Sequence, residues 1–286
     1  VVGGRPLPDP YSMHGSYSST STVMSASSPY SRGTGPEWDK FAEAEGKGAS
    51  GHDDMQKLML SSDSSVAVAA THHLSYNGNR AFLLLFEQLP NVDARVKDSI
   101  RTGSFSDNIF VNAANVVSGS ITASEALKDG ALLFLKLPYS TASQSVGLND
   151  EVHRELVRAI PKATGAFADD LAYAIGQYPP GSPKPILDML GHESATARET
   201  ALIALGKLGM EETLDEVKKM KSDPSAKVRR AAATAESSID TAVAAYYAPS
   251  LSSPGYATYP PSPQSTEESP AAKKARRTPR ERLGMP

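Results

Sequence analysis

Cysteine is absent from the 286 residues. That removes disulfides, thiolate nucleophiles, CxxC redox pairs and cysteine-ligated zinc. Aromatic residues are scarce at 7%, with one Trp, while hydrophobic residues make up 40%. Such a balance is lean for one thick core but sufficient for thin helical layers that each bury a modest face. No apolar run approaches the roughly 18 residues of a membrane-spanning helix. Residues 1–50 also lack the apolar centre of a secretory signal. The chain starts with Val1 rather than Met, so it reads as a fragment or a processed chain. An intracellular location, cytoplasmic or nuclear, is the expectation. Phosphate loops, GxSxG elbows and HExxH pairs are missing too.

Charge is uneven along the chain. Residues 1–50 hold four basic and five acidic residues, residues 51–250 hold 19 and 24, and the last 36 hold six and three. An acidic middle argues against a large phosphate-binding surface, because non-specific nucleic-acid affinity comes from clustered Lys and Arg. Composition sets the boundaries. Residues 10–35 are dense in Ser, Thr, Tyr and Gly, and residues 248–263 in Pro, Ser and Tyr. Neither stretch has the apolar content to offset the entropy of ordering, so both ends are predicted to be disordered arms. Glu37–Glu45 reads as a fraying pre-helix with Trp38 and Phe41 on one side. Three regions follow: an arm over 1–50, a folded body over 51–247, and a tail over 248–286.

The body repeats itself. His192-Glu193-Ser194 precedes a helical run from Ala197 to Gly209, and Asp223-Pro224-Ser225 precedes another that starts at Val228. Arg198 and Arg229 are 31 residues apart, as are Ala201 and Ala232, and Leu171–Gly176 lies 30 residues before Ala201–Gly206. A period near 30 with two helices per unit is the signature of an α-solenoid. Asp-Pro stops one helix and the following Ser caps the next. Small Ala allows close helix crossing. Gly206 and Gly209 are expected to end the second helix, where left-handed backbone costs Gly least.

This pattern resembles the HEAT repeat, most clearly over Pro179–Ser238. The resemblance implies an all-α fold, a HEAT-like solenoid of about five helix pairs. It also implies a structural interhelix role for Arg198 and Arg229, with Ala201, Gly206, Asp223 and Pro224 completing the repeat signature. Upstream the echoes are fainter: the Ser-Asp turn at Ser62-Asp63, and Ala131–Leu137 lying 70 residues before Ala201–Lys207. Further helices are predicted at Arg80–Leu89, Asp107–Ser118 and Asp150–Lys162.

No catalytic, cofactor-binding or metal-binding set emerges from the sequence. Deoxyhypusine hydroxylases, which are built from similar repeats, bind two irons through several His-Glu pairs. Here only His192-Glu193 offers one, at a turn, and it is read as a turn residue or helix cap. His72 and His73 point about 100° apart on a helix, one buried or semi-buried and the other exposed. His153 is placed in a solvated first helical turn, and Asp169-Asp170 at a cap. Bilin lyases and some DNA-alkylation repair proteins also carry HEAT-like repeats. The second group would use the basic run Lys218, Lys219, Lys221, Lys227, Arg229 and Arg230. Glu211, Glu212, Asp215 and Glu216 stand one turn away and can pair with it.

The tail carries Lys273-Lys274-Ala275-Arg276-Arg277, which has the form of a nuclear-import signal read by an import receptor. Ser253, Ser262, Ser269 and Thr278 each precede Pro and are candidate phosphosites. A phosphate on Thr278 would sit beside Arg276, Arg277 and Arg280. The leading expectation is a non-enzymatic scaffold whose groove binds proteins or peptides, with phospho-regulated arms. The alternative is a nucleic-acid-associated protein; a metal-dependent enzyme or cofactor lyase comes third.

Overall fold

The computed structural model describes residues 33–103, 105–137 and 146–247. All regular elements among them are helical. In order they are α1 (Pro36–Gly46), α2 (His52–Leu58), α3 (Ser64–Tyr76), α4 (Asn79–Gln88), α5 (Ala94–Thr102), α6 (Asp107–Ser118) and α7 (Glu125–Lys136). Then come α8 (Val146–Ala159), α9 (Gly165–Ile175), α10 (Lys184–Asp188), α11 (Ala195–Leu208), α12 (Leu214–Lys219) and α13 (Ala226–Tyr247). Single 3-10 turns extend α4, α8, α10 and α12. Two compact units divide the chain, Val1–Val243 and Ala244–Pro286. The first holds the helical body; of the second, only the end of α13 is described.

Four helices begin where the sequence supplies a side-chain acceptor for orphan amides. Asp63, Asp93, Ser124 and Ser194 accept from backbone N–H groups two or three residues on, opening α3, α5, α7 and α11. Gly119 and Gly209 end α6 and α11 in left-handed backbone, at φ 81° and 64°.

Two layers result. In one, α2 packs on α4, α4 on α7, α7 on α9 and α9 on α11, and α11 meets α13 where Gly206 faces Ala235. In the other, α3 packs on α5, α6 on α8 and α8 on α10. Pairs α3–α4, α6–α7, α8–α9 and α10–α11 tie the layers together, and α12 is followed by α13, with Lys221 of the turn after α12 paired to Glu236 of α13. The five expected pairs are therefore present, with α1, α2 and α5 additional to them. Close crossing uses missing side chains: a Cβ on Gly130 of α7 would overlap the Phe86 carbonyl of α4, and one on Gly206 would lie 2.9 Å from Ala235 Cα. A single apolar cluster runs from Trp38 to Ile239.

Several expectations are corrected. The folded body begins at Pro36 rather than at residue 51: α1 buries Trp38, Phe41 and Ala44, a stripe at three-residue spacing. A helix this short is marginal alone, and docking is what orders it. Gly206 does not end α11; it lies inside that helix as a close-approach residue, and Gly209 alone makes the left-handed stop. Neither His72 nor His73 is exposed: His72 is buried with its ring stacked on Phe105, and His73 is half-buried against Phe41 and His52. His153 stands in the middle of α8, which starts at Val146. It is fully buried, with Nδ1 3.2 Å from the Tyr178 carbonyl. Desolvation lowers its pKa to about 4. Asp169 and Asp170 lie within α9 rather than at its cap.

Candidate binding face

The strongest local geometry lies at the repeat turns. Arg198 forks onto Asp223 of the next repeat, Nε to Oδ2 at 2.8 Å and Nη2 to Oδ1 at 3.0 Å. Its Nη1 also donates to the carbonyls of His192 and Glu193, at 2.8 and 2.9 Å. Arg229 repeats the second half of this, donating from Nη1 to the carbonyls of Asp223 and Pro224 at 2.8 and 3.0 Å. Both members of the Arg198–Asp223 pair are nearly buried. The guanidinium holds the Asp223 carboxyl below its ordinary range, against the opposing effect of burial. Asp223 Oδ1 also accepts from the Ser225 N–H. His192 fills the equivalent place one repeat earlier, where its Nδ1 accepts from the Ser194 N–H. It is thus a turn residue. Ala201 is fully buried, and Pro224 contributes the carbonyl that Arg229 holds. These residues build the platform; none of them presents reactive chemistry.

The exposed side of the α4–α7–α9–α11–α13 layer carries a different set. Lys136 of α7 pairs with Asp170 of α9. One turn along α9, Tyr173 lies under the ammonium of Lys207 from α11, 4.9 Å from the ring centre. Glu199 of α11 pairs with Lys227 of α13 at 2.9 Å, and Lys227 also donates to Thr196 at 2.8 Å. Each step from α7 to α9, α11 and α13 is therefore crossed by a charged or cation–π contact at the surface. Tyr173 and Lys207 were not singled out from the sequence. The repeat register held the signal: Tyr173 falls 30 residues before Ile203, inside the Leu171–Gly176 echo of Ala201–Gly206.

The basic run near the last repeat is largely engaged. Lys219 pairs with Glu216 at 2.5 Å, Lys221 with Glu236, and Lys227 with Glu199. Of these acidic partners only Glu216 belongs to the neighbouring turn; Glu236 and Glu199 come from α13 and α11. Among the described residues, no group of three or more His, Asp or Glu is placed to hold a metal ion. No described helix is long and apolar enough to cross a membrane. Lys273, Lys274, Arg276, Arg277 and the four Ser/Thr-Pro sites lie outside the described residues, as does His14.

The family model described as HEAT repeats matches residues 171–247. Among solved structures, a designed armadillo repeat protein in complex with the peptide (KR)4 is 14% identical. The match covers 65% of this chain and 98% of that one at a TM-score of 0.32. An engineered protein is 18% identical, with 73% and 85% covered at a TM-score of 0.24. No curated protein matches. The fold assignment rests on the family match and on the packing just described. With turns locked by Arg198 and Asp223, and the end of α9, α11 and α13 stacked in it, the segment 171–247 matches HEAT repeats in sequence and packs as a HEAT-like array.

Proposed function

We propose that the chain is a non-enzymatic scaffold that binds a protein segment along the exposed side of its α7–α9–α11–α13 layer. The observation that carries this reading is the set of surface contacts Lys136–Asp170, Tyr173–Lys207 and Glu199–Lys227, which cross the steps α7–α9, α9–α11 and α11–α13 in turn. Stacked repeats present neighbouring helices as one extended surface, which suits an extended peptide or a helix lying across them. Tyr173 supplies rigid amphipathic area, and the charges on either side fix direction. Substituting Tyr173→Ala together with Lys207→Glu should abolish capture of partners by the purified chain while leaving its helical content unchanged. Undiminished capture would reject this face.

The arms belong to the same proposal. Lys273-Lys274-Ala275-Arg276-Arg277 is read as a nuclear-import signal, and phosphorylation at Thr278, Ser269, Ser262 or Ser253 as its regulation. Deleting Lys273–Arg277 from a tagged copy should shift it out of the nucleus; unchanged distribution would reject the signal. The nucleic-acid reading is the weaker one, because Lys219, Lys221 and Lys227 already have carboxylate partners. Binding to duplex or single strands that weakens steeply with salt would revive it.

A further inference from the structure

The first helix is held by a cluster of four rings, two of them imidazoles. Trp38 and Phe41 of α1 meet edge to face with centroids 5.5 Å apart. Phe41 meets His73 of α3 at 6.2 Å and 85°. His73 in turn meets His52, the first residue of α2, at 6.0 Å and 67°. His52 Nδ1 and His73 Nε2 are both shut off from solvent with no hydrogen-bond partner in the structure. A neutral imidazole nitrogen tolerates that position at modest cost, but a buried N–H on a charged ring lacking an acceptor does not. Two such rings side by side would also repel each other once both were charged.

The surrounding charges do not reverse this. Asp53 on α2 favours a charged His52 and Arg80 on α4 opposes it, while Glu45 on α1 favours a charged His73 and His52 opposes it. Desolvation is the largest effect on both, and both are held below the ordinary imidazole value. The connection from α1 to α2 is also tight. A Cβ on Gly51 would overlap the Ala44 carbonyl, so the rings have little room to gain solvent while α1 stays docked.

We propose that this ring cluster is an acid-sensitive latch: protonation of His52 or His73 releases α1 and uncovers the first end of the stack. Release solvates both imidazoles, and a detached α1 has too few residues to persist as a helix. The uncovered end is apolar, because Trp38, Phe41 and Ala44 leave buried positions. The latch is independent of which partner the scaffold binds.

Trp38 is the only tryptophan in the chain, so its emission reports on α1 alone. Between about pH 7.5 and pH 5, bracketing the ordinary imidazole pKa of ~6.5, its emission should move to the red and iodide quenching should rise. Far-UV helicity should fall only by the content of α1. In the His52→Gln/His73→Gln variant the transition should vanish or move well outside this window. An unchanged transition in that variant would overturn the latch. A wild-type arm covers the case in which the variant folds poorly. Hydrogen exchange of amides 38–46, corrected for its intrinsic pH dependence, should show the opening constant rising about tenfold per pH unit for each proton taken up. Amides of α9 and α11 should stay protected. Uniform loss of protection across all helices, or none at 38–46, would equally reject the proposal.

Discussion

Arg198 does the work of several residues. Its guanidinium bridges two repeats through Asp223 and closes its own turn on two carbonyls. Arg198→Ala leaves the Asp223 carboxylate buried without its main partner and should cost about 3 kcal/mol in chemical denaturation. Adding Asp223→Ala should recover part of that loss, because the orphaned charge goes with it. Arg198→Lys should not rescue it, since one ammonium cannot reproduce the fork and the two carbonyl bonds. His153 gives a pH signature. Its pKa falls from the ordinary value to about 4, so the unfolded chain takes up the proton first on acidification. Its contribution is unaffected at neutral pH and is lost as pH drops from about 6.5 to about 4, by about 3 kcal/mol in all. His153→Gln should flatten that slope in urea melts recorded across the range. Asp223, whose pKa is also held low, adds a loss in the same direction at lower pH.

Single helices show which features could be read from the chain and which could not. Arg198, Arg229 and Asp223 were legible because their roles are local to a turn and recur with the repeat. The α6 boundaries, Asp107–Ser118, are those predicted for that helix from the sequence. His153 was misplaced because residues 146–149 add a first turn to α8 that composition does not announce. Trp38 and Phe41 were underread because eleven residues carry too little intrinsic helicity to show that they dock. Gly130 gave no signal at all, since its purpose is a carbonyl on another helix. Gly206 plays the same part between α11 and α13. Gly206→Val should cost about 2 kcal/mol through overpacking against Ala235. The added exchange should concentrate in α13 and leave α1 unaffected, because each repeat contacts only its neighbours.

The described body as a whole is a two-layer stack finished at both ends by helices with polar outer faces. Glu37, Lys40 and Glu43 face outward on α1, and Arg230, Thr234, Ser237 and Thr241 on α13. Such ends keep a repeat array soluble and stop it adding further copies. Between them the α7–α9–α11–α13 surface is crossed at each step by a charged or cation–π contact, and the scaffold reading depends on it. The most direct measurement is quantitative affinity capture with the full chain, comparing wild type with Tyr173→Ala/Lys207→Glu and with a control altered at Arg95 on α5, away from this layer. Circular dichroism should first establish equal helicity in all three. The double variant should lose the captured partners at least tenfold while the Arg95 control keeps them. Equal recovery by all three proteins would contradict the assignment of this face as the binding surface.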